Sequence, residues 1–355
     1  MTTGDAGRRV LVVSSVHPPD DPRIRSKLVA TLARSARVRY ATTAPGPVSA
    51  PDFEVMALAG GRLRRSLTAS RLILAGDYDV ASVHDPELLP AAILAGLLRR
   101  IVVFDLHENL PASMGAKRVV PVPLRGAAAW LAVRLLRLAE RVIPVTLAEP
   151  GYRSLFVRDH AVFPNYLMID HPVLTPADGR SGVVYLGDIT EDRGLLEAVR
   201  ATGMSGAPAI TLIGRCHQAM RTRIEVVAAE HGATVTWAGF LPHGQALPLV
   251  GRHAVALSPL RDLPNYRDSL PTKLLEYLAM GVPVVASDLP ASRETLGDAD
   301  AVVWVSPGDP TAIAAGIDQV LADPALTAAA TARAPQIVER YRWPAETVRS
   351  FYAEL

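Results

Sequence analysis

The chain has 355 residues, 49 % hydrophobic and 20 % charged: enough apolar material for a large core and too much for a disordered chain. Mean hydropathy is +0.20. Even so, no window of about 18 residues is free of charge and polar breakers, the best apolar runs being Leu88–Leu98 and Tyr277–Ala286, so no bilayer-spanning helix is expected. The single cysteine, Cys216, excludes an intrachain disulfide and a multi-cysteine metal site. The opening MTTGDAGRRV has no apolar core before a cleavage site, so a cytoplasmic chain of two domains is expected.

The formal net charge of +2 hides an asymmetry. Residues 1–165 carry 22 Lys+Arg against 14 Asp+Glu, a net +8, and the rest carry 15 against 21, a net −6. Three basic clusters fall in the first half: Arg62, Arg64, Arg65 and Arg71; Lys117, Arg118 and Arg125; Arg134, Arg137 and Arg141. Phosphates and anionic lipid are drawn to such a half, although solvated helix faces account for the same arginines. No basic and aromatic residues interleave, so nucleic acid is not an expected partner.

Short β-branched runs alternate with helical patterns. Val10–Val16, Val38–Thr43, Val80–His84, Ile101–Leu106 and Val142–Leu147 have the pattern of buried strands, separated by amphipathic stretches at Ile24–Arg34, Leu88–Arg100 and Arg125–Arg141. The alternation lapses over His171–Gly182 and restarts with Val183–Gly187, Ile210–Gly214, Val235–Ala238, Ala254–Ser258, Pro283–Ser287 and Val302–Val305. Helices are expected between them at Leu195–Ala201, Ala219–His231, Lys273–Met280 and Ile313–Leu321. Two such series imply two doubly wound α/β domains, with ligands at the carboxyl ends of the strands.

The densest constellation in those loops is Asp268-Ser-Leu-Pro-Thr-Lys-Leu-Leu-Glu276, followed by Gly281-Val-Pro-Val-Val. Pro271 suits a helix start and Gly281 a helix end. Amides at Thr272 and Lys273, with the positive end of the helix and the Lys273 ammonium, favour a phosphate. Asp268 and Glu276 can accept hydrogen bonds from sugar hydroxyls. An ordinary capped helix with Glu276 on its solvated face satisfies the same spacing. Cys216 is expected to pack beside the Gly214 turn, Asp85 to cap the helix after it, and Asp20 and Asp21 to start the first helix.

These residues resemble the retaining GT-B glycosyltransferases of family 4, whose signature is Glu-x7-Glu before a Gly-x-Pro-Val-Val strand. Tyr185-Leu-Gly187-Asp-Ile-Thr-Glu-Asp-Arg193-Gly194, Leu212-Ile-Gly214-Arg215 and Trp237-Ala-Gly239-Phe-Leu-Pro242 resemble successive strand ends of that family's donor domain. Phe104-Asp-Leu-His107-Glu108 is similar to its strand-end histidine. His84-Asp-Pro-Glu87 is similar to an acceptor-side loop, His17-Pro-Pro-Asp-Asp-Pro-Arg-Ile24 to its opening loop, and Arg342-Trp343-Pro to its tail. The resemblance implies a GT-B fold of two Rossmann-like domains facing across a cleft. Its expected parts are an acceptor-side domain at 1–168, a donor domain at 178–338, and a helix at 339–355 returning to the first domain.

By position, the family's catalytic roles fall to His107, Asp268 and Glu276. Donor binding falls to Gly187, Arg193, Arg215, Gly239, Leu270, Pro271, Thr272 and Lys273, and the acceptor side to His17, Arg23, His84 and Glu108. This chain departs from the pattern in three places: Asp268 is one methylene shorter than Glu, Asp188 replaces a common arginine, and the opening loop lacks adjacent glycines. The expected activity is transfer of a hexosyl group from a nucleotide-diphosphate sugar, a UDP- or GDP-sugar, to an acceptor hydroxyl with retention. No permanently bound cofactor is expected. No metal is expected either, since no Asp-x-Asp triplet follows a strand and the histidines are scattered in sequence. A sugar-nucleotide epimerase and a non-catalytic GT-B partner share the fold. An inverting relative would carry a His-Cys-Gly-Trp signature, which is absent. The basic helix Arg125–Arg141, with Trp130, Leu131, Leu135, Leu136 and Leu138, suits docking on its own sheet, and also contact with an anionic membrane at the inner face. Acceptor identity and oligomeric state have no sequence signal.

Overall fold

The computed structural model describes residues 7–43, 52–111 and 122–355. Lys117 and Arg118 of the second basic cluster lie outside the described residues. The chain divides into two compact units, one of Met1–Asn165 with Trp343–Leu355 and the other of Tyr166–Arg342.

The first unit is built on a seven-stranded parallel sheet: β1 (Arg9–Val13), β2 (Arg37–Thr43), β3 (Glu54–Leu58), β4 (Val80–Val83), β5 (Val102–Leu106), β6 (Val145–Leu147) and β7 (Ala161–Val162), in spatial order 3-2-1-4-5-6-7. Both faces of β1 are covered, as a parallel sheet requires. Val10 and Val12 pack with Ile24, Trp343 and Val348, while Leu11 and Val13 pack with Ile73 and Leu89. β3 and β7 are absent from the periodicity because one is a half-exposed edge segment and the other only two residues long. Helix α1 (Arg62–Ala75) is likewise unannounced, its arginines masking a narrow apolar stripe of Ala69 and Ile73. It packs beside α2 (Leu89–Leu97), which packs beside α3 (Arg125–Val142).

Two further expectations are corrected here. Val142 closes α3 instead of opening a strand: it packs on the core, and Pro144 disfavours helical backbone at Ile143, so the strand starts only at Val145. The first helix is a π-wound segment, Pro22–Val29, continued by Ala30–Leu32; Asp21 starts it, accepting from the amides of Arg23 and Ile24 at 3.0 and 2.9 Å. Docking on the sheet accounts for only part of α3. Leu135 and Leu136 pack into the core, whereas Trp130 is 59 % and Leu131 62 % exposed.

The second unit repeats the plan with β8 (Val183–Leu186), β9 (Ile210–Ile213), β10 (Val235–Gly239), β11 (Val255–Ser258), β12 (Val284–Ser287) and β13 (Val302–Val305), in order 10-9-8-11-12-13, all parallel. Its helices are α4 (Leu195–Met204), α5 (Gln218–His231), α6 (His243–Val250), α7 (Thr272–Ala279), α8 (Pro290–Leu296), α9 (Pro310–Ala322) and α10 (Pro324–Arg340). α6 and α10 escaped the sequence pattern because each carries an internal proline, Pro248 and Pro335, and α8 is only seven residues long. Gly281 ends α7 with φ +66°, its amide and that of Val282 closing on the carbonyls of Leu278 and Tyr277. The last helix, α11 (Ala345–Glu354), belongs to the first unit; Trp343 is buried there and donates its Nε1–H to Thr31 Oγ1 at 3.0 Å.

Candidate active site

In each sheet the strand order reverses once, between β1 and β4 and between β8 and β11. In doubly wound folds the crevice beyond the strand ends at such a point is where ligands bind. The expected site residues follow these strands and their neighbours β5, β9 and β10.

In the second unit, β8 runs into Gly187 at φ +129°. A Cβ there would stand 3.1 Å from Arg193 Nη1 and 3.2 Å from Lys273 Nζ, so the glycine leaves room exactly where two cations converge. The loop that carries Arg193 is clamped. At Gly194, φ is +73° and a Cβ would sit 1.8 Å from the Pro259 carbonyl oxygen. Arg261 binds Glu191 in that loop at 3.3 Å and Glu197 on the first turn of α4 at 2.6 Å. Lys273, on the first turn of α7, is 8 % exposed, lies 3.9 Å over the Tyr185 ring and has no hydrogen-bond partner for its ammonium. Burial, reinforced by the charge of Arg193, holds its pKa well below the usual lysine value. Pro271, at the cap position of α7, offers no side-chain hydrogen bond to the helix, and Lys273 stands on the first turn, at its positive end.

Glu276, one turn on, accepts from His243 Nε2 at 2.8 Å. His243 stands one residue past the Trp237–Pro242 motif, which is why the sequence did not single it out. Arg215 places its guanidinium 4.1 Å over the Phe240 ring, in the turn after Gly239. Leu270 packs on the core beside α7. Asp268 lines an open depression of about 400 Å³ with Asp262, Pro264 and Arg267, where Asp262 holds the Arg267 guanidinium. Asp188 lies 3.9 Å from Arg193, close enough to offset part of its charge. Cys216, whose backbone pairs with Ile189 in the loop after β9, packs half-buried on the core, and burial raises its thiol pKa.

In the first unit the histidines are not scattered. His17, His84 and His107 converge beyond β1, β4 and β5: His107 Nε2 is 3.0 Å from His17 Nε2, and the His84 and His107 rings are 5.6 Å apart. The sequence hid this because the three residues are each separated by more than a strand and a helix. Asp85 is not a helix cap. Its carboxylate turns back to β1 and accepts from Ser14 Oγ at 2.9 Å, the Ser15 amide at 2.5 Å and His17 Nδ1 at 2.9 Å. Burial alone would raise its pKa, but His17 and these donors outweigh burial and bring it down to about 2. Burial works against the charged form of His17 too, and Asp85 overcomes it and raises the His17 pKa.

Arg23 is a second correction. It is buried, binds both oxygens of Asp105 at 2.8 and 3.0 Å, donates to the Phe163 carbonyl and lies over the Trp343 ring, so it braces the fold and is not open to an acceptor. Asp105 also accepts from Thr146 Oγ1 at 2.9 Å and lies 3.3 Å from His84 Nδ1 and 3.8 Å from His107 Nδ1. Desolvation opposes its charge, yet Arg23 and the histidines hold its carboxyl well below the usual range. His84 is fully buried and burial lowers its pKa. The ligand atoms of His84, Asp105 and His107 lie within 4.8 Å of one another, a spacing a metal ion can take. Arg23 already supplies the positive charge that Asp105 balances, which works against a dication there. Tyr352 of α11 reaches the same cluster through Ser82, whose Oγ is 2.9 Å from the tyrosine hydroxyl and 3.3 Å from His84 Nε2. Glu108 is exposed at the strand end, and Glu87 is tied to Ser15 at 2.9 Å and to Arg62.

Residues 180–323 match the family model described as glycosyl transferases group 1. The phosphatidyl-myo-inositol mannosyltransferase of Mycolicibacterium smegmatis is 42 % identical over 284 residues, covering 76 % of this chain and 69 % of that protein. Among solved structures, the sucrose-phosphate synthase of Thermosynechococcus elongatus superposes with a TM-score of 0.76 at 17 % identity over 98 % of both chains. HepE of Anabaena, in complex with UDP and glucose, superposes with a TM-score of 0.72 at 17 % identity, again over 98 % of both. The two parallel-sheet units and the shared sequence agree, and the chain belongs to the family 4-type glycosyltransferases of the GT-B fold, enzymes of sugar transfer.

Proposed function

We propose that this glycosyltransferase moves a hexosyl group from a UDP- or GDP-sugar to an acceptor hydroxyl with retention, without a metal ion, the second unit holding the donor and the first the acceptor. The observation that carries this is the buried ammonium of Lys273, left without a hydrogen-bond partner beside Arg193 and Gly187 on the first turn of α7. An unpartnered buried charge is costly, and an anionic group there would offset that cost. A diphosphate matches two cations and a helix N-terminus. The UDP in the HepE structure supports a nucleotide donor, and the mannosyltransferase name of the relative supports mannose as the hexose.

In the reaction the C–O bond from sugar to diphosphate breaks, and its electron pair leaves with the phosphate oxygen toward Arg193, Lys273 and α7. The acceptor hydroxyl forms the new bond on the same face of the anomeric carbon. Its proton passes to the departing phosphate oxygen, so no protein nucleophile is needed. Asp268 and His107 serve the sugar hydroxyls and Glu276 the ribose, with His17 and Glu108 on the acceptor side; His84, as buried as Arg23, is not open to an acceptor and stands beside the His107 ring. Arg215 with Phe240, and the Gly239 turn, flank the base; Leu270, Pro271 and Thr272 shape the diphosphate loop.

The acceptor is membrane-borne in this proposal, and the enzyme cytoplasmic at the inner face. α1 and α3 expose Leu63, Leu67, Trp130, Leu131 and Leu138 among Arg64, Arg71, Arg134 and Arg141, and Glu140, the only acid on these two helices, is buried. Such a face suits anionic lipid. The phosphatidyl-myo-inositol in the relative's name supports a lipid acceptor.

The test is thermal stability with UDP, GDP, ADP and dTDP, then release of the matching nucleoside diphosphate from its hexose donors. A ligand at 100 times its dissociation constant adds about 2.7 kcal/mol, and for a unit of this size that is several degrees. Release that depends on an added acceptor supports transfer. Release with an epimerised or free sugar and no acceptor supports the epimerase, and binding without turnover supports the non-catalytic partner.

A further inference from the structure

Lys273 and Glu276 stand three residues apart on α7, the spacing at which opposite charges on one helix face meet. They do not meet. The Lys273 ammonium has no hydrogen-bond partner, and Glu276 Oε1 accepts instead from Nε2 of His243, the first residue of α6, at 2.8 Å. The Glu276 side chain is 13 % exposed and that of His243 48 %, so the bond comes from a neighbouring helix with its donor half in solvent. A carboxylate only accepts, so this bond requires the imidazole proton on Nε2.

We propose that His243 is a positioning residue: it holds the Glu276 carboxylate away from Lys273 and so keeps that ammonium uncompensated for the donor diphosphate. The inference rests on the donor-site proposal above and adds the device that keeps the carboxylate of Lys273's own helix from pairing with it, Asp188 lying instead 3.9 Å from Arg193. Were Glu276 to fold onto Lys273, the diphosphate would have to displace a built-in carboxylate before it could bind. Arg193 does not oppose such a collapse: it stands beside Lys273 at Gly187 and its charge raises the cost of leaving that ammonium alone. The restraint has to come from Glu276's partner. His243 is that partner.

The experiment is calorimetric titration of wild type, His243→Ala and His243→Gln with UDP, GDP, ADP and dTDP, each against its nucleoside monophosphate. The wild type is expected to prefer the diphosphate of at least one base. His243→Ala is expected to lose about tenfold or more of that preference, the scale of a hydrogen bond to a charged group. His243→Gln, whose amide N–H reaches the same oxygen, restores it. In a Glu276→Gln background no carboxylate remains to fall onto Lys273, and His243→Ala then leaves the preference unchanged. An unchanged preference in His243→Ala, with the thermal midpoint of the free protein intact, overturns the role of His243 alone. A wild type that binds none of the four diphosphates overturns the donor-site proposal as well.

Discussion

Replacing Lys273 by methionine separates what the residue costs the fold from what it does for the ligand. Methionine keeps most of the unbranched stem over the Tyr185 ring and removes the charge. The ammonium is buried without a hydrogen-bond partner and close to a second cation, Arg193. Removing an unsatisfied buried polar group recovers about 1–3 kcal/mol. At roughly 2–4 °C per kcal/mol for a unit of this size, the free Lys273→Met protein should melt about 2–12 °C higher than wild type. The gain is pH-dependent. Lys273 has a folded-state pKa well below its unfolded value, so between those two values the unfolded chain binds the extra proton and wild-type stability rises with pH. The advantage of Lys273→Met should therefore shrink as pH is raised toward about 10.5. With nucleoside diphosphate the variant's advantage is cancelled or nearly so: the ligand-induced shift of about 2.7 kcal/mol at 100 times the wild-type dissociation constant is lost in the variant. Differential scanning fluorimetry across pH, with and without ligand, reads all of this. A free variant less stable than wild type, or one that keeps the full ligand shift, refutes the reasoning.

Three other outcomes test the remaining parts of the structure. Asp105→Asn leaves the Arg23 guanidinium buried and uncompensated, which should cost about 3–5 kcal/mol in denaturant unfolding, whereas the paired Arg23→Met, Asp105→Leu variant should recover most of that loss. Asp85, with a folded pKa of about 2 against 3.8 unfolded, contributes about 2 kcal/mol that is present above the unfolded value and lost as pH falls through the folded one; Asp85→Asn should flatten the acid limb of stability between about pH 5 and 2. Trp130→Asp with Leu131→Asp should abolish sedimentation with anionic phosphatidylserine vesicles while leaving the melting temperature within about 1 °C, because both side chains are exposed.

The doubly wound plan was legible because buried parallel strands are short β-branched runs whose position does not depend on distant partners. Val302–Val305 appears in the structure at the same residues, and the Pro271 and Gly281 signals bracket α7 as helix-start and helix-end chemistry predicts. What failed to appear was set by contacts far apart in sequence. Arg23 looked like an opening-loop residue, but its function is fixed by Asp105, 82 residues on. Asp85 looked like a cap because Pro86 follows it, yet His17 and the Ser14–Ser15 turn claim its carboxylate. The edge strands β3 and β7 bury too little to leave a hydrophobic period. The first-unit histidines each followed a different strand, and only the spatial order 1-4-5 brings their strand ends together.

Charge gives the sharpest contrast between composition and structure. By count, the first half at +8 is where an anion belongs and the second at −6 is where it does not. The buried charges reverse that expectation. In the first unit three buried carboxylates are matched: Asp105 with Arg23, Asp85 with His17, and Glu140 with His160 and the amides of Val157 and Arg158. Its surplus of arginine is on helix surfaces, where water and salt screen it and a membrane can use it. In the second unit Lys273 is buried with no counter-ion bonded to it, and Glu276, the nearest carboxylate on its own helix, is taken up by His243. A screened surplus attracts many anions weakly, whereas one desolvated cation beside a helix N-terminus selects an anion of matching size and charge. The proposed diphosphate site therefore falls in the half of the chain whose net charge is negative.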